Sequence, residues 1–397
     1  MGNEEGALAG IRVLDLGQLV QGPQAAQLLC DLGADVIKVE LPGVGDLSRR
    51  LPVSIEDLRA PFWEGCNRGK RAITVDLRTE RGQAVFLDLV EGSDVVISNF
   101  VHGTMEGWNL GFDVMSSRNP GIVWGSATAY GSRGPDADQK GADLGGQAAG
   151  GLLSVSGGND HMPVGVTIAD HIGSQNLANG VLAALVARHR TGRGQHVEVS
   201  LYGGQIYAQA SELTRHFLSG ELKPPEAGGH PIVPTLYGVF PTADGHIALV
   251  GVPEEVLPEF FAMLGRPDLI DDPRRTPIAF LQGGRVEFCA VLAELFSANT
   301  SAHWESELRS IGVRYAPVRD YAGVAADPGA FANGYLQRVD HPRWGDTVAI
   351  GSPISMSDTA ATPGRVAADL GEHTFEVLTE IGYDDARIAA LSQDSVI

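Results

Sequence analysis

Basic side chains crowd into one stretch of an acidic chain. Between residues 49 and 81 stand eight of them (Arg49, Arg50, Arg59, Arg68, Lys70, Arg71, Arg78 and Arg81) against five acidic ones. The whole chain has 29 basic and 49 acidic residues, a formal net charge of −20 and a pI near 4.9. A local cationic patch in such a chain reads either as a solvated face or as a pocket for a phosphorylated small molecule. The global charge argues against nucleic acid, whose phosphates need a basic face. The segment Ile168-Ala-Asp-His-Ile-Gly173, with Asp170, leads into a long helical pattern. The plainest role of Asp170 there is to cap the helix. The eleven histidines are scattered, and His189 and His196 read as surface residues in a basic stretch.

Other chemistries lack their motifs. No G-x-G-x-x-G follows a strand pattern and no G-x-x-x-x-G-K-[ST] occurs, so dinucleotide and P-loop sites are unsupported. Neither G-x-S-x-G nor H-E-x-x-H is present, which removes the serine hydrolase and zincin readings. Cys30, Cys66 and Cys289 are widely spaced and odd in number, so neither a disulfide framework nor a metal site is expected. That usage fits a reducing cytoplasm. The first residues lack a basic and an apolar region, and Gly2 lacks the Ser or Thr a myristoylation site wants. The longest apolar run, at 181–187, is far too short for a membrane span, so no membrane partner is expected.

The elements that must position these residues alternate. Short β-rich runs occur at 11–16, 35–39, 72–76, 94–98 and 121–124. Helical spacing fills 24–32 and 80–91, with Pro23 expected as a first helical residue. Such alternation predicts βαβ units, an α/β fold with a mainly parallel, doubly wound sheet. A long helix is predicted over 174–190. Residues 220–234, rich in proline and glycine, read as a linker. Beyond it, 236–252 reads as a hairpin around Asp244-Gly245, followed by helices near 254–264, 285–297 and 302–311. This is a smaller α+β domain. Residues 325–351 read as irregular, and 371–382 as an amphipathic helix. With 397 residues, 43% of them hydrophobic, the chain can bury a core in each of two domains.

The opening Gly10-Ile-Arg-Val-Leu-Asp-Leu16, Gly22-Pro23 and Asp31-Leu-Gly-Ala-Asp-Val-Ile-Lys-Val-Glu40 resemble the first βαβ unit of the family III CoA-transferases. The resemblance continues through Gly45-Asp46, Arg49, Asn67-Arg-Gly-Lys-Arg71, Val75-Asp-Leu-Arg78, Asn99-Phe100, Thr191-Gly-Arg-Gly-Gln195 and Leu370-Gly-Glu-His-Thr374. It spans the chain from about residue 8 onward. Each piece is weak alone; their number and order carry the likeness.

The resemblance implies a transferase that moves CoA from an acyl-CoA donor to a carboxylic acid acceptor. Asp170 matches the family's nucleophile, forming an aspartyl anhydride and then an aspartyl-CoA thioester. Ala169 departs from the family's glycine at that place, and His171 is assigned no role. Gln21 matches a glutamine near the thioester, with an exposed polar residue before a helix as the plainer reading. CoA contacts are implied at Val75, Arg78, Asn99, Phe100, Met105, Lys140, Ala142 and Asp143, although a methionine such as Met105 more often packs than contacts. Two family arginines fall at Leu41 and Gly107, with Lys38, Arg49, Lys70 or Arg71 as stand-ins. The family's glycine-rich shielding loop has no counterpart at 235–255.

CoA and acyl-CoA enter as substrates, with no tightly bound cofactor and no metal. A related racemase or epimerase reading needs a second acid–base group where Ala142 stands. A non-catalytic acyl-CoA-binding homologue is a third reading. The family organisation implies a large domain over 1–205 completed by 345–397, linkers at 206–229 and 326–344, a small domain over 230–325, and an interlocked-ring homodimer.

Overall fold

The fold is taken from a computed structural model. It describes residues 6–397 apart from 157–160, 222–228, 231–232, 234, 362 and 365. The chain opens with β1 (Arg12–Asp15), α1 (Gln21–Asp31), β2 (Asp35–Glu40), α2 (Pro61–Asn67), β3 (Arg71–Thr74), α3 (Glu80–Glu91) and β4 (Val95–Ser98). Then come α4 (Thr104–Gly107), α5 (Phe112–Arg118), β5 (Val123–Thr128), α6 (Asp143–Ala149), α7 (Leu152–Val155), α8 (Ile168–Thr191) and β6 (His196–Ser200). The six strands form one parallel sheet in the order β3-β2-β1-β4-β5-β6.

Alternation along the strands builds the core on both faces. Val13, Val36, Val95, Ile97 and Val123 face α1 and α8, meeting Ala25, Leu29, Leu177 and Val181. Leu14, Ile37, Ile73, Val96 and Trp124 point the other way, onto Phe86 and Leu89 of α3 and Met115 of α5. That second face is completed by α17 (Thr374–Glu380) and α18 (Asp385–Gln393), through Val377, Leu378, Ile388 and Leu391.

Several elements differ from the sequence expectation. Helix α8 begins at Ile168, six residues before the predicted start, because Asp143 satisfies its first amides from outside (below). Helix α1 begins at Gln21, so Pro23 lies third in it; the first amides of a helix need no intrahelical acceptor, and proline costs nothing there. Strand β6 was not anticipated, since its exposed edge carries the polar pattern His196-Val-Glu-Val-Ser200. Residues read as linker from 206 form α9 (Leu201–Ala208) and α10 (Ala210–Ser219); the remainder at 222–228 lies outside the described residues. The stretch 325–351 is ordered: α15 (Tyr321–Ala325), α16 (Pro328–Ala332), and a hairpin of β10 (Leu336–His341) and β11 (Gly345–Ile350).

The chain divides into two units. One comprises 1–152, 163–214 and 328–397, the other 153–162 and 215–327. The second holds an antiparallel sheet of β7 (Tyr237–Pro241), β8 (His246–Val250) and β9 (Tyr315–Pro317). Helices α11 (Leu257–Met263), α12 (Pro277–Leu281), α13 (Gly284–Phe296) and α14 (Ser301–Ser310) build its core with Phe240, Phe260, Phe261, Phe288, Phe296 and Trp304.

A buried charge network lies under the β1–α1 loop. Lys38 Nζ, fully buried, is 2.8 Å from Asp46 and 3.6 Å from Asp15, and also donates to the Gly17 carbonyl. Lys70 Nζ donates to Asp15 (2.7 Å), the Pro23 carbonyl (2.7 Å) and Asn67 (2.9 Å). Burial works against the Lys38 charge, but Asp15, Asp46 and Glu40 outweigh it and raise its pKa. Asp46 Oδ1 also accepts the Leu19 amide at 3.0 Å, fixing that residue at a φ of +62°, where a leucine is rarely found. Removing one member leaves uncompensated buried charge. Lys38→Met should therefore destabilise the chain by about 3–5 kcal/mol in urea unfolding. A change under about 1 kcal/mol would show that the network contributes little.

Candidate active site

A parallel strand is followed by a connection that starts at the sheet's carboxyl edge. The order β3-β2-β1-β4-β5-β6 reverses between β1 and β4, so the loops after these strands part and leave a crevice, the usual ligand position in open α/β sheets. Gln21 follows β1, Val75 and Arg78 follow β3, Asn99 and Phe100 follow β4, and the 140–143 segment follows β5. Helix α8 returns antiparallel to the strands before β6, so its N-terminus, with Asp170, lies at the same edge.

Asp170 occupies the first turn of α8, half-buried. Its pKa is pushed up to about 7, first by burial and then by the like charge of Asp143. Thr167, the residue before α8, makes no side-chain cap. Asp143 does so from α6: its Oδ1 accepts the amides of Ala169 (2.7 Å) and Asp170 (3.2 Å), and its Oδ2 accepts Gln147 Nε2 (2.6 Å). Asp170 itself is thereby excused from capping. Ala169, in place of the family's glycine, is fully buried, and its methyl faces Gly146, where an added Cβ would lie 3.0 Å away.

Gln21 is 4% exposed, and its Nε2 has no hydrogen-bond partner. It packs on α8 at Gly173, three residues after Asp170; a Cβ there would come within 2.6 Å of Gln21 Nε2. Ser174 Oγ lies 2.8 Å from the Gln21 carbonyl and 2.7 Å from the Asp170 carbonyl, joining α1 to α8. Gly173 and Ser174 went unrecognised from sequence; the only available signal was a glycine one helical turn after Asp170. Asn99 uses both ends of its amide on the loop before Gln21. Its Oδ1 accepts the Gln18 amide (2.7 Å) and its Nδ2 donates to the Gln18 carbonyl (2.9 Å).

The other expected residues separate into two groups. Val75 (2% exposed) and Met105 (2%) have their side chains in the core, so only their backbone can face a ligand. Phe100 is half-buried against that core, edge-on to Trp108 at 5.3 Å. Arg78, Lys140 and Ala142 are on the surface. Arg78 forks onto Asp76 through Nε and Nη2, each at 2.8 Å. Most of the basic window is paired with carboxylates, while Arg50 donates to the Val44 carbonyl. Arg49 pairs with Glu40, Arg59 with Asp57, Arg68 with Asp31, Arg71 with Asp35 and Glu380, and Arg81 with Asp394. Lys38 and Lys70 are turned inward, so they cannot stand in for the arginines missing at Leu41 and Gly107.

A family model for CoA-transferase family III matches residues 8–374. The chain belongs to that family. It is therefore an enzyme, a CoA-transferase. It is 34% identical to a succinyl-CoA:mesaconate CoA-transferase of Haloarcula marismortui, over 98% of this chain and all of that one. It is 29% identical to the human succinyl-CoA:glutarate CoA-transferase, over 98% and 90% of the two chains. The crystal structure of a CaiB/BaiF family protein from Brucella suis covers 95% of this chain and 100% of its own, with a TM-score of 0.84 at 30% identity. Among the described residues no helix is long and apolar enough to cross a membrane.

In this CoA-transferase the Asp143 charge helps hold Asp170 partly protonated near neutrality. Asp143→Asn should move the Asp170 titration to lower pH, while burial keeps it above the ordinary carboxylate range. Carbon-13 NMR of labelled aspartate checks this. An unchanged or upward shift would contradict the assignment.

Proposed function

We propose that the enzyme moves CoA from succinyl-CoA to a carboxylic acid, with Asp170 as the nucleophile. One observation carries this reading: a half-buried carboxyl at a helix N-terminus, with no cation beside it among the described residues and the unpartnered Gln21 amide packed three residues further along the same helix. The choice of donor is supported by relatives whose names specify succinyl-CoA, including one from Chloroflexus aurantiacus that is 32% identical.

An Asp170 oxygen attacks the thioester carbonyl carbon. The C–S bond breaks and CoA leaves as a thiolate, giving an acyl-aspartyl anhydride. The thiolate then attacks the Asp170 carboxyl carbon; the donor acid leaves as a carboxylate, and an aspartyl-CoA thioester remains. The acceptor carboxylate repeats these steps in reverse order, restoring Asp170 and leaving as the new acyl-CoA. No proton is gained or lost overall. Each attack places negative charge on a carbonyl oxygen, and the free Nε2–H of Gln21 is the donor for it. Nucleophilic attack requires the ionised form, so kcat/KM should rise as the pH passes about 7.

CoA would run along the carboxyl edge, meeting the backbone at Val75 and Met105, the ring of Phe100, and the 140–143 segment. Arg78 and Lys140 would meet the phosphates, with Arg78 exchanging Asp76 for a phosphate. Asn99 and Asp143 would serve by holding the Gln18 loop and the start of α8. The enzyme would need no tightly bound cofactor and would work in the cytoplasm. Racemisation is disfavoured because Ala142, at the N-cap of α6, cannot take up a proton.

Asp170→Ala should lower exchange by several orders of magnitude and leave CoA affinity nearly intact, whereas Arg78→Ala should weaken CoA binding by about 1–3 kcal/mol. Retention of more than about a tenth of the exchange rate in Asp170→Ala would refute the nucleophile. The same proposal includes an interlocked homodimer. Sedimentation at nanomolar concentration should give about twice 41.9 kDa; a folded, CoA-binding monomer would exclude threading.

A further inference from the structure

A cavity of about 360 Å³ lies beside α2, lined by Arg49, Leu58, Arg59, Trp63, Arg343 and Trp344, with Ala60 and Glu64. It shares no residue with the cluster around Asp170. Three guanidinium groups reach it from three different segments, and two of them lie over indole rings. Arg49 stacks at 3.4 Å from the Trp63 ring centre, and Arg59 lies 5.7 Å from that of Trp344. Trp344 is held in turn by His341, stacked on it at 3.9 Å.

The unmet hydrogen-bonding capacity of this wall has one sign. Arg49 gives its Nε to Glu40 and its Nη1 to the Ala368 carbonyl, but its Nη2 is buried without a partner. Trp63 is 3% exposed, and its Nε1 is buried without a partner. Both orphans are N–H donors. The carboxylates that balance the arginines, Glu40, Asp57 and Asp369, grip them from outside the lining. Glu64 alone lines the cavity, 3.6 Å from Arg343. Its own pKa is raised, chiefly by burial, which weakens its claim on the arginines. An oxyanion seated among the three guanidinium groups would gain charge-assisted bonds from a wall that offers donors and one weakened carboxylate.

We propose that this cavity is an oxyanion-binding pocket, taking a carboxylate or phosphate between the Arg49–Trp63 and Arg59–Trp344 pairs. The reading does not depend on Asp170 chemistry. Two sources of such a group exist for a CoA-transferase, an acid and the phosphates of CoA, and their shared chemistry is what the pocket recognises.

The test titrates the full chain with inorganic phosphate and with succinate, read by tryptophan fluorescence and by calorimetry. Saturable binding of either is expected, and Arg343→Gln and Arg59→Gln should each weaken it about tenfold or more. Both side chains are about half exposed, so these variants should fold, as circular dichroism would check. Competition then assigns the source. If CoA but not dephospho-CoA displaces phosphate, the pocket takes the 3′-phosphate; if only succinate displaces it, the pocket takes an acid. Absence of saturable binding by both probes, or binding unchanged in both variants, would overturn the proposal. Loss of exchange in Asp170→Ala with phosphate binding intact would separate this pocket from the catalytic reading.

Discussion

A carboxylate that is to attack a carbon must be held where water is scarce and no cation neutralises it. Burial raises the Asp170 pKa first, and the charge that adds to it, Asp143, has the same sign. The surrounding geometry keeps that condition stable. The helix N-terminus supplies a favourable dipole, and the cap is delegated to Asp143, so the Asp170 carboxyl is not consumed by the backbone. Gln21 is brought against the same turn because residue 173 has no side chain.

The same economy governs the loops at the crevice. Between β1 and α1 the chain turns sharply, with Leu19 in the left-handed region. It is pinned from one side by Asn99 through Gln18, and from below by Lys38, Asp46 and Asp15. These buried ions do little for net stability compared with an apolar core of equal volume. Their directional bonds set the position of a loop that apolar contact alone would leave loosely placed.

Much of this was legible in the sequence. The βαβ alternation is plain because each strand is a short β-branched run bounded by turns, and five of the six strands can be placed from it. Asp170, Gln21 and Asn99 can be picked out by family likeness, and the sheet edge brings their chain positions together. What escaped depended on partners distant in sequence. β6 exists because an edge strand needs only one apolar neighbour. The β10–β11 hairpin alternates polar and apolar residues too unevenly to declare itself, Leu336, Val339 and His341 being buried. The net charge of the basic window overstates its free cations, since Arg71 and Arg81 are matched by carboxylates as remote as Glu380 and Asp394. Net charge over a window cannot register such pairs.

The closure of the sheet by α17 and α18 bears on how the chain is made. Strands β1 to β4 are complete by residue 98, yet the apolar face formed by Ile37, Ile73 and Val96 receives Val377, Leu378 and Leu391 only after the whole second unit has been synthesised. The Asp76 amide likewise waits for the Val396 carbonyl. At ~5–20 residues per second on the ribosome, the part of that face not covered by α3 and α5 waits tens of seconds for α17 and α18. During that time it is a surface for chaperones to cover or for nascent chains to share.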